Sequence, residues 1–243
     1  MMSVSFIGGD SWEVPNPQNV VNEEGLVALS LELTPDMYVR MYPYGMFPWF
    51  EQEELFFWFS PGTRSITYTE ELKVSKSMRP YLNSEKWSVT VNHAFEDVVA
   101  LCKKVPRPGQ MGTWISGSFE AAFNRLHQLG LAHSFEVWDG SRLIGGAFGT
   151  LVGNVFVGES MFHRVNNASK LAYIGMTLYM REQGVKFIDN QLPTDHLNSL
   201  GASNLDRISY LDLMKVHAHQ VMEKKPIPPA QIPLKALWLA SQK

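Results

Sequence analysis

Residues 134–162 read SFEVWDGSRLIGGAFGTLVGNVFVGESMF, and the reading of this stretch decides the fold. Asp139-Gly140 and Gly153-Asn154 cut it into three apolar-rich segments. Such pairs supply the positive backbone angles that tight hairpins need. The expectation is an antiparallel meander of strands Ser134 to Trp138, Arg142 to Val152 and Val155 to Phe162. A helix from about Ser169 to Gln183 comes next, then a strand from Val185 to Leu192, giving the order β-β-β-α-β.

Two polar intrusions stand out in these apolar strands. Glu159 sits in Gly158-Glu159-Ser160-Met161-Phe162, and Asp189 and Gln191 lie two apart in Ile188-Asp189-Asn190-Gln191. On a regular strand residues two apart share a face. Carboxylates are rarely buried without a partner, so an acid placed here needs a partner, a ligand or a chemical task. Regular alternation sends Phe156 and Glu159 to opposite faces, whereas a bulge at Gly158 brings both toward one cavity. On the helix, Leu171, Ile174 and Leu178 form one stripe and Tyr173, Met176 and Met180 another, nearly opposite. A surface helix needs one stripe. Two imply burial on both sides, or a second stripe that lines an apolar ligand pocket.

Working outward, the first sixty or so residues are rich in Pro, Gly and aromatics, with Glu51-Gln52-Glu53-Glu54 ahead of Leu55-Phe56-Phe57-Trp58-Phe59. They read as a small irregular domain closed by a hairpin, and a turn at Ser60-Pro61-Gly62 marks its end. The division expected is 1–64 and 65–243. Helical spacing covers His93 to Lys104, with the loop Pro106-Arg107-Pro108-Gly109 after it. A second helix runs from about Ser116, a capping residue, to Leu129 before Gly130. After Pro226 the Pro-rich chain is expected to wrap the surface as an extended tail.

Net charge of −3 offers no broad basic field, and Cys102, the only cysteine, excludes an internal disulfide. Scattered histidines give no metal-ligand spacing, so neither metal nor cofactor is expected. Without an apolar run of membrane-spanning length or a charged n-region, the expected address is the cytoplasm, with no membrane partner.

The strand and helix order resembles the acyltransferase fold shared by N-acetyltransferases and several aminoacyl-transferring enzymes. More specifically, the chain resembles the leucyl/phenylalanyl-tRNA–protein transferases. The matching pieces come in order: Gly45 to Phe50, Trp58-Phe59-Ser60-Pro61, Gly112-Thr113-Trp114-Ile115, Arg125-Leu126-His127 and Glu136-Val137-Trp138. They continue through Gly158 to Phe162, Asn167-Ala168-Ser169-Lys170, Ile188 to Gln191, His196-Leu197 and Ser199-Leu200-Gly201-Ala202.

The resemblance implies an α+β chain, with a small β-rich N-terminal domain and a GNAT-related catalytic domain. It implies a monomer that moves leucine or phenylalanine (methionine being a third candidate) from aminoacyl-tRNA to proteins beginning with Arg or Lys, marking them for degradation. It also assigns sites. Asp189 and Gln191 are the catalytic pair, and Glu159 positions the aminoacyl ester. Trp49 and Trp114 stack on the tRNA 3′-terminal adenosine. Ala147, Phe156, Tyr173, Met176 and Met180 line the aminoacyl pocket, and Lys73, Lys76 and Arg79 hold the tRNA backbone.

Aminolysis of an activated ester asks mainly for positioning and charge stabilisation. A free α-amino group has a pKa around 7.7–8.0, so no strong base is required. The expectation is that Asp189 accepts from the Gln191 side-chain amide and orients it. Each residue also has a plainer role: Asp189 bonded to a loop amide, Glu159 in a buried salt bridge with Arg164 or Lys170, and the tryptophans filling core. The chain departs from the family at Ser30 to Leu33, Tyr44, Phe123 and Asn190, where Cys is usual, and at Pro80, Asn83 and Ser84 in a thinner basic run. A divergent paralogue with another aminoacyl group, and a non-catalytic binder of charged tRNA ends or N-terminal peptides, stay open. A coenzyme-A-dependent acetyltransferase is disfavoured, because its phosphate-gripping turn would be His163 to Ala168, which has no glycine.

Overall fold

The structure is a computed structural model and describes residues 4–9, 11–20, 24–84, 86–104, 114–219 and 227–242. It is a mixed α+β chain with two sheets among these residues. The smaller sheet holds β1 (Ser5–Phe6), β2 (Leu26–Ser30), β3 (Phe47–Gln52) and β4 (Leu55–Phe59), in the order β1-β2-β4-β3. Its closing hairpin turns on Glu53 and Glu54, both at positive φ (52° and 63°). Between β2 and β3 lies α1 (Pro35–Met41), capped by Thr34 with Pro35 in the first turn.

The larger sheet takes β5 (Thr63–Tyr68), β6 (Trp87–Val91), β7 (Ala132–Asp139), β8 (Arg142–Val152), β9 (Val155–His163), β10 (Phe187–Gln191), β11 (Ser203–Asp206) and β12 (Ala230–Gln231). Its order is β11-β5-β10-β9-β8-β7-β6-β12. Thr63 and Arg64, read from sequence as the end of the first domain, belong to this sheet. The helices are α2 (Arg79–Asn83), α3 (Phe95–Lys104), α4 (Gly117–Gln128), α5 (Ala168–Glu182), α6 (Asp195–Ser199), α7 (Arg207–His217) and α8 (Leu234–Ala240).

The meander β7-β8-β9 forms as its turns dictate, and α5 carries the chain over to β10, which lies parallel to β9. Apolar residues point both ways from β9. Val155 and Val157 join the core shared with α3, α4 and the small sheet, and Phe156 joins the core under α5. Both stripes of α5 are buried, as the doubled pattern requires.

One expectation is corrected at the C-terminus. From Ile227 onward the described chain is not an extended surface tail. β12 pairs with β6 and forms the edge of the large sheet, and α8 packs on α5 with Leu234 and Trp238 buried. The apolar face of α8 outweighs its Pro-rich approach. The loop at Pro106–Gly109, and Gly112, Thr113 and Pro226, lie outside the described residues.

Between β8 and β9, Phe148 pairs with Ser160 and Gly149 with Gly158, which leaves Glu159 as the extra residue of a bulge. A Cβ on Gly149 would stand 2.2 Å from the Val157 carbonyl oxygen, so only glycine lets the strands close here. Gly149→Ala should lower stability by about 1–3 kcal/mol or more, as overpacked cores do. Urea unfolding checks it, with no change in midpoint as the contrary result.

Candidate active site

β9 and β10 pair from Phe187/Val155 to Asp189/Val157 and then part. Crevices beyond the carboxyl ends of parallel strands are natural ligand sites. A cavity of about 420 Å³ opens there, its walls including Trp49, Trp114, Ala147, Glu159, Tyr173 and Gln191.

Glu159 is buried at its floor. Its Oε1 accepts from the Tyr42 hydroxyl at 2.8 Å and from Thr150 Oγ1 at 3.1 Å, and its Oε2 from Gln191 Nε2 at 3.0 Å. Burial pushes its carboxyl up to about 7, against the downward pull of hydrogen bonds from Tyr42, Thr150 and Gln191, with Asp189 adding to the rise. Neither Arg164 nor Lys170 pairs with it among the described residues. Regular alternation holds through Glu159, and the bulge redirects only the residues beyond it. Phe156 lies in the core under α5 and does not line the cavity with Glu159.

Asp189 is fully buried and does not line the cavity. Its Oδ1 accepts from Arg64 Nε (2.8 Å) and the Gln191 backbone N–H (2.9 Å), and its Oδ2 from Arg64 Nη2 (2.6 Å) and the Tyr210 hydroxyl (2.7 Å). The Arg64 guanidinium also lies between the rings of Phe47 and Tyr210, 4.5 and 4.7 Å from their centroids. Burial alone would lower the Arg64 pKa, but Asp189 reverses this and the net movement is upward.

This corrects the expected orientation of the Gln191 side chain by Asp189. The register shifts between the two residues and Gln191 sits at φ 64°, so the same-face rule for a regular strand does not apply. Asp189 holds the main chain of Gln191, and the side chain turns away to Glu159.

The other anticipated residues divide. Trp49 and Trp114 both line the cavity, edge-on to Phe59 and Phe119 respectively, with ring centroids 5.1 Å apart in each case. Ala147, Tyr173 and Met176 line it too. Phe156 and Met180 do not, being wholly buried in the core behind. Lys73, Lys76 and Arg79 are exposed around the turn that enters α2. Sequence reasoning missed Arg64, Tyr42, Thr150 and Tyr210. Arg64 had a signal: it is the lone charge in the strand TRSITY, and the buried Asp189 demanded a cation.

Residues 66–215 match the family described as leucyl/phenylalanyl-tRNA protein transferase. A relative of that name from Shewanella baltica (strain OS185) is 41% identical over 231 residues, 95% of each chain. The chain belongs to the leucyl/phenylalanyl-tRNA protein transferase family. Another member, from Christiangramia forsetii, is 44% identical over 200 residues, 82% of this chain and 94% of its own. Among solved structures, FemX overlays with a TM-score of 0.45 at 12% identity, covering 72% of this chain and 67% of its own. Membership of the family makes the protein an aminoacyltransferase. No helix among the described residues is long and apolar enough to cross a membrane.

The raised Glu159 pKa has a defined sign. Between the ordinary carboxyl value and about 7 the folded state holds a proton that the unfolded chain releases, so stability falls as pH rises through that window. Relative to Glu159→Gln, the wild type should lose on the order of 3 kcal/mol between pH 4.5 and 7.5. Urea unfolding of both proteins across this range measures it. A pH-independent difference would show that Glu159 ionises normally.

Proposed function

We propose that this protein transfers leucine or phenylalanine from aminoacyl-tRNA to the α-amino group of proteins beginning with Arg or Lys, marking them for degradation. The observation that carries the reading is the Glu159–Gln191 hydrogen bond at the floor of a cavity flanked by two tryptophans. We read β7-β8-β9-α5-β10 as a GNAT-related catalytic layout, preceded by a small domain that ends near residue 64. The enzyme acts as a cytoplasmic monomer.

In this account the terminal adenosine stacks on Trp49 or Trp114, a contact worth about 1–3 kcal/mol per base. Lys73, Lys76 and Arg79 take the backbone that leads away. The aminoacyl side chain enters between Ala147, Tyr173 and Met176. The acceptor amine attacks the ester carbonyl carbon, a C–N bond forms, and the C–O bond to the ribose breaks. Gln191 donates one amide hydrogen to Glu159 and keeps its oxygen for the incoming amine. Glu159, poised near neutrality, takes the amine proton and returns it to the departing ribose oxygen. Asp189 contacts no reacting atom and is a positioning residue.

The test is label transfer from a panel of aminoacyl-tRNAs (leucyl, phenylalanyl, methionyl) to peptides beginning with Arg, Lys or Ala. Transfer of leucine or phenylalanine to the basic N-termini alone is expected, with Glu159→Gln and Gln191→Ala each reduced about 100-fold or more, in line with loss of proton transfer or a positioned hydrogen bond. Absence of transfer to any basic N-terminus by folded enzyme would end this reading.

A further inference from the structure

Behind one wall of the cavity, side chains from β5, α5 and β10 meet. Tyr173 Oη lies 2.8 Å from Thr67 Oγ1 and 2.9 Å from Asn190 Oδ1, and Asn190 Nδ2 lies 3.0 Å from Thr67 Oγ1. The phenol has one proton and cannot donate to both neighbours. One arrangement satisfies all three groups. Tyr173 donates to Asn190, Asn190 donates to Thr67, and the Thr67 hydroxyl donates back to Tyr173. Each group gives one hydrogen bond and takes one, which closes a ring whose members polarise each other in a dry setting. Thr67 is wholly buried and Tyr173 nearly so. Burial pushes the Tyr173 hydroxyl up to about 12, which keeps its proton in place at neutral pH.

The ring matters because its members face the cavity unequally. Tyr173 and Asn190 line the cavity and Thr67 does not. The Tyr173 hydroxyl is therefore held between the Asn190 amide at the cavity wall and the buried Thr67 hydroxyl behind it. Of the other residues that line the cavity, Ala147 is small and Met176 is an unbranched, adaptable side chain. A pinned aromatic ring is the rigid part of this wall. Freed of its hydrogen bonds, it yields where a larger side chain presses on it.

We propose that Thr67 and Asn190 are specificity-determining positioning residues, which lock the Tyr173 ring and so hold one wall of the aminoacyl cavity at a fixed depth. This rests on the transfer reading above and adds a physical source for its choice of side chain. One methylene in an apolar pocket already separates substrates by about 10–200-fold, so a wall that yields by the width of a carbon is measurable.

The test uses the full chain and four proteins: wild type, Tyr173→Phe, Thr67→Val and Thr67→Ser. For each, kcat/KM is measured with leucyl- and phenylalanyl-tRNA at a fixed concentration of an Arg-initiated peptide, alongside the melting temperature. Tyr173→Phe keeps the ring and removes the pin. Thr67→Val keeps the shape and removes a hydroxyl remote from the cavity. Both should move the phenylalanyl-to-leucyl ratio about fivefold or more toward the larger side chain, while Thr67→Ser retains the wild-type ratio. An unmoved ratio in Tyr173→Phe and Thr67→Val overturns the inference. So does an equal loss with both substrates accompanied by a lower melting temperature, which marks a purely structural ring. If the wild type uses neither ester, the transfer reading fails and this inference falls with it, an outcome distinct from an active enzyme with an unmoved ratio.

Discussion

The ion pair between Arg64 and Asp189 is the constraint on which the rest of the site depends. It joins β5, the first strand of the large sheet in chain order, to β10, the strand that succeeds the crossover helix. Its two charges lie where water does not reach. Removing either partner would strand a buried charge, at a cost of about 3–5 kcal/mol. Such pairs often contribute little net stability compared with apolar replacements. What this one supplies is geometry. The carboxylate that holds Arg64 and Tyr210 also takes the Gln191 backbone N–H, at the residue where the chain enters the left-handed region. From that position the Gln191 amide reaches Glu159 on the neighbouring strand.

Two carboxylates a strand apart thus have opposite environments. Asp189 has a cation, a phenol and a main-chain amide, and no access to the cavity. Among the described residues Glu159 has only neutral donors, and no positive charge opposes the effect of its burial. The first is suited to holding shape and the second to exchanging a proton near neutrality. Tyr42 links Glu159 to the part of the chain that forms the small sheet, because its hydroxyl reaches Glu159 from the segment just after α1. That bond couples the segment between β2 and β3 to β9 of the large sheet.

Much of this was legible in the sequence. The meander, the crossover helix and its double stripe arise from turn residues and periodicity, which act locally. The acids were conspicuous because an apolar strand tolerates a carboxylate only for a reason. Arg64 and Tyr210 were not found, since their pairing with Asp189 joins residues 125 and 21 positions apart. The relation between Asp189 and Gln191 was misread because period-two alternation assumes a regular strand, and the register shift breaks that assumption. Phe156 and Met180 were placed in the pocket because composition marks a residue as apolar without saying whether it meets a cavity or the core behind. The C-terminal segment was misread because prolines were weighed above the apolar face of a short helix.

The claim that the ion pair works through Gln191 can be tested apart from its effect on folding. Arg64→Met/Asp189→Leu replaces both charges with apolar groups of similar bulk, an exchange that buried pairs often tolerate. The decisive measurement is single-turnover transfer by this double variant, with its melting temperature near that of the wild type. The expected result is a loss of about 100-fold in rate at saturating aminoacyl-tRNA with little change in tRNA affinity, since a small misplacement of a reacting geometry costs about that much. A folded double variant that transfers at the wild-type rate would contradict it.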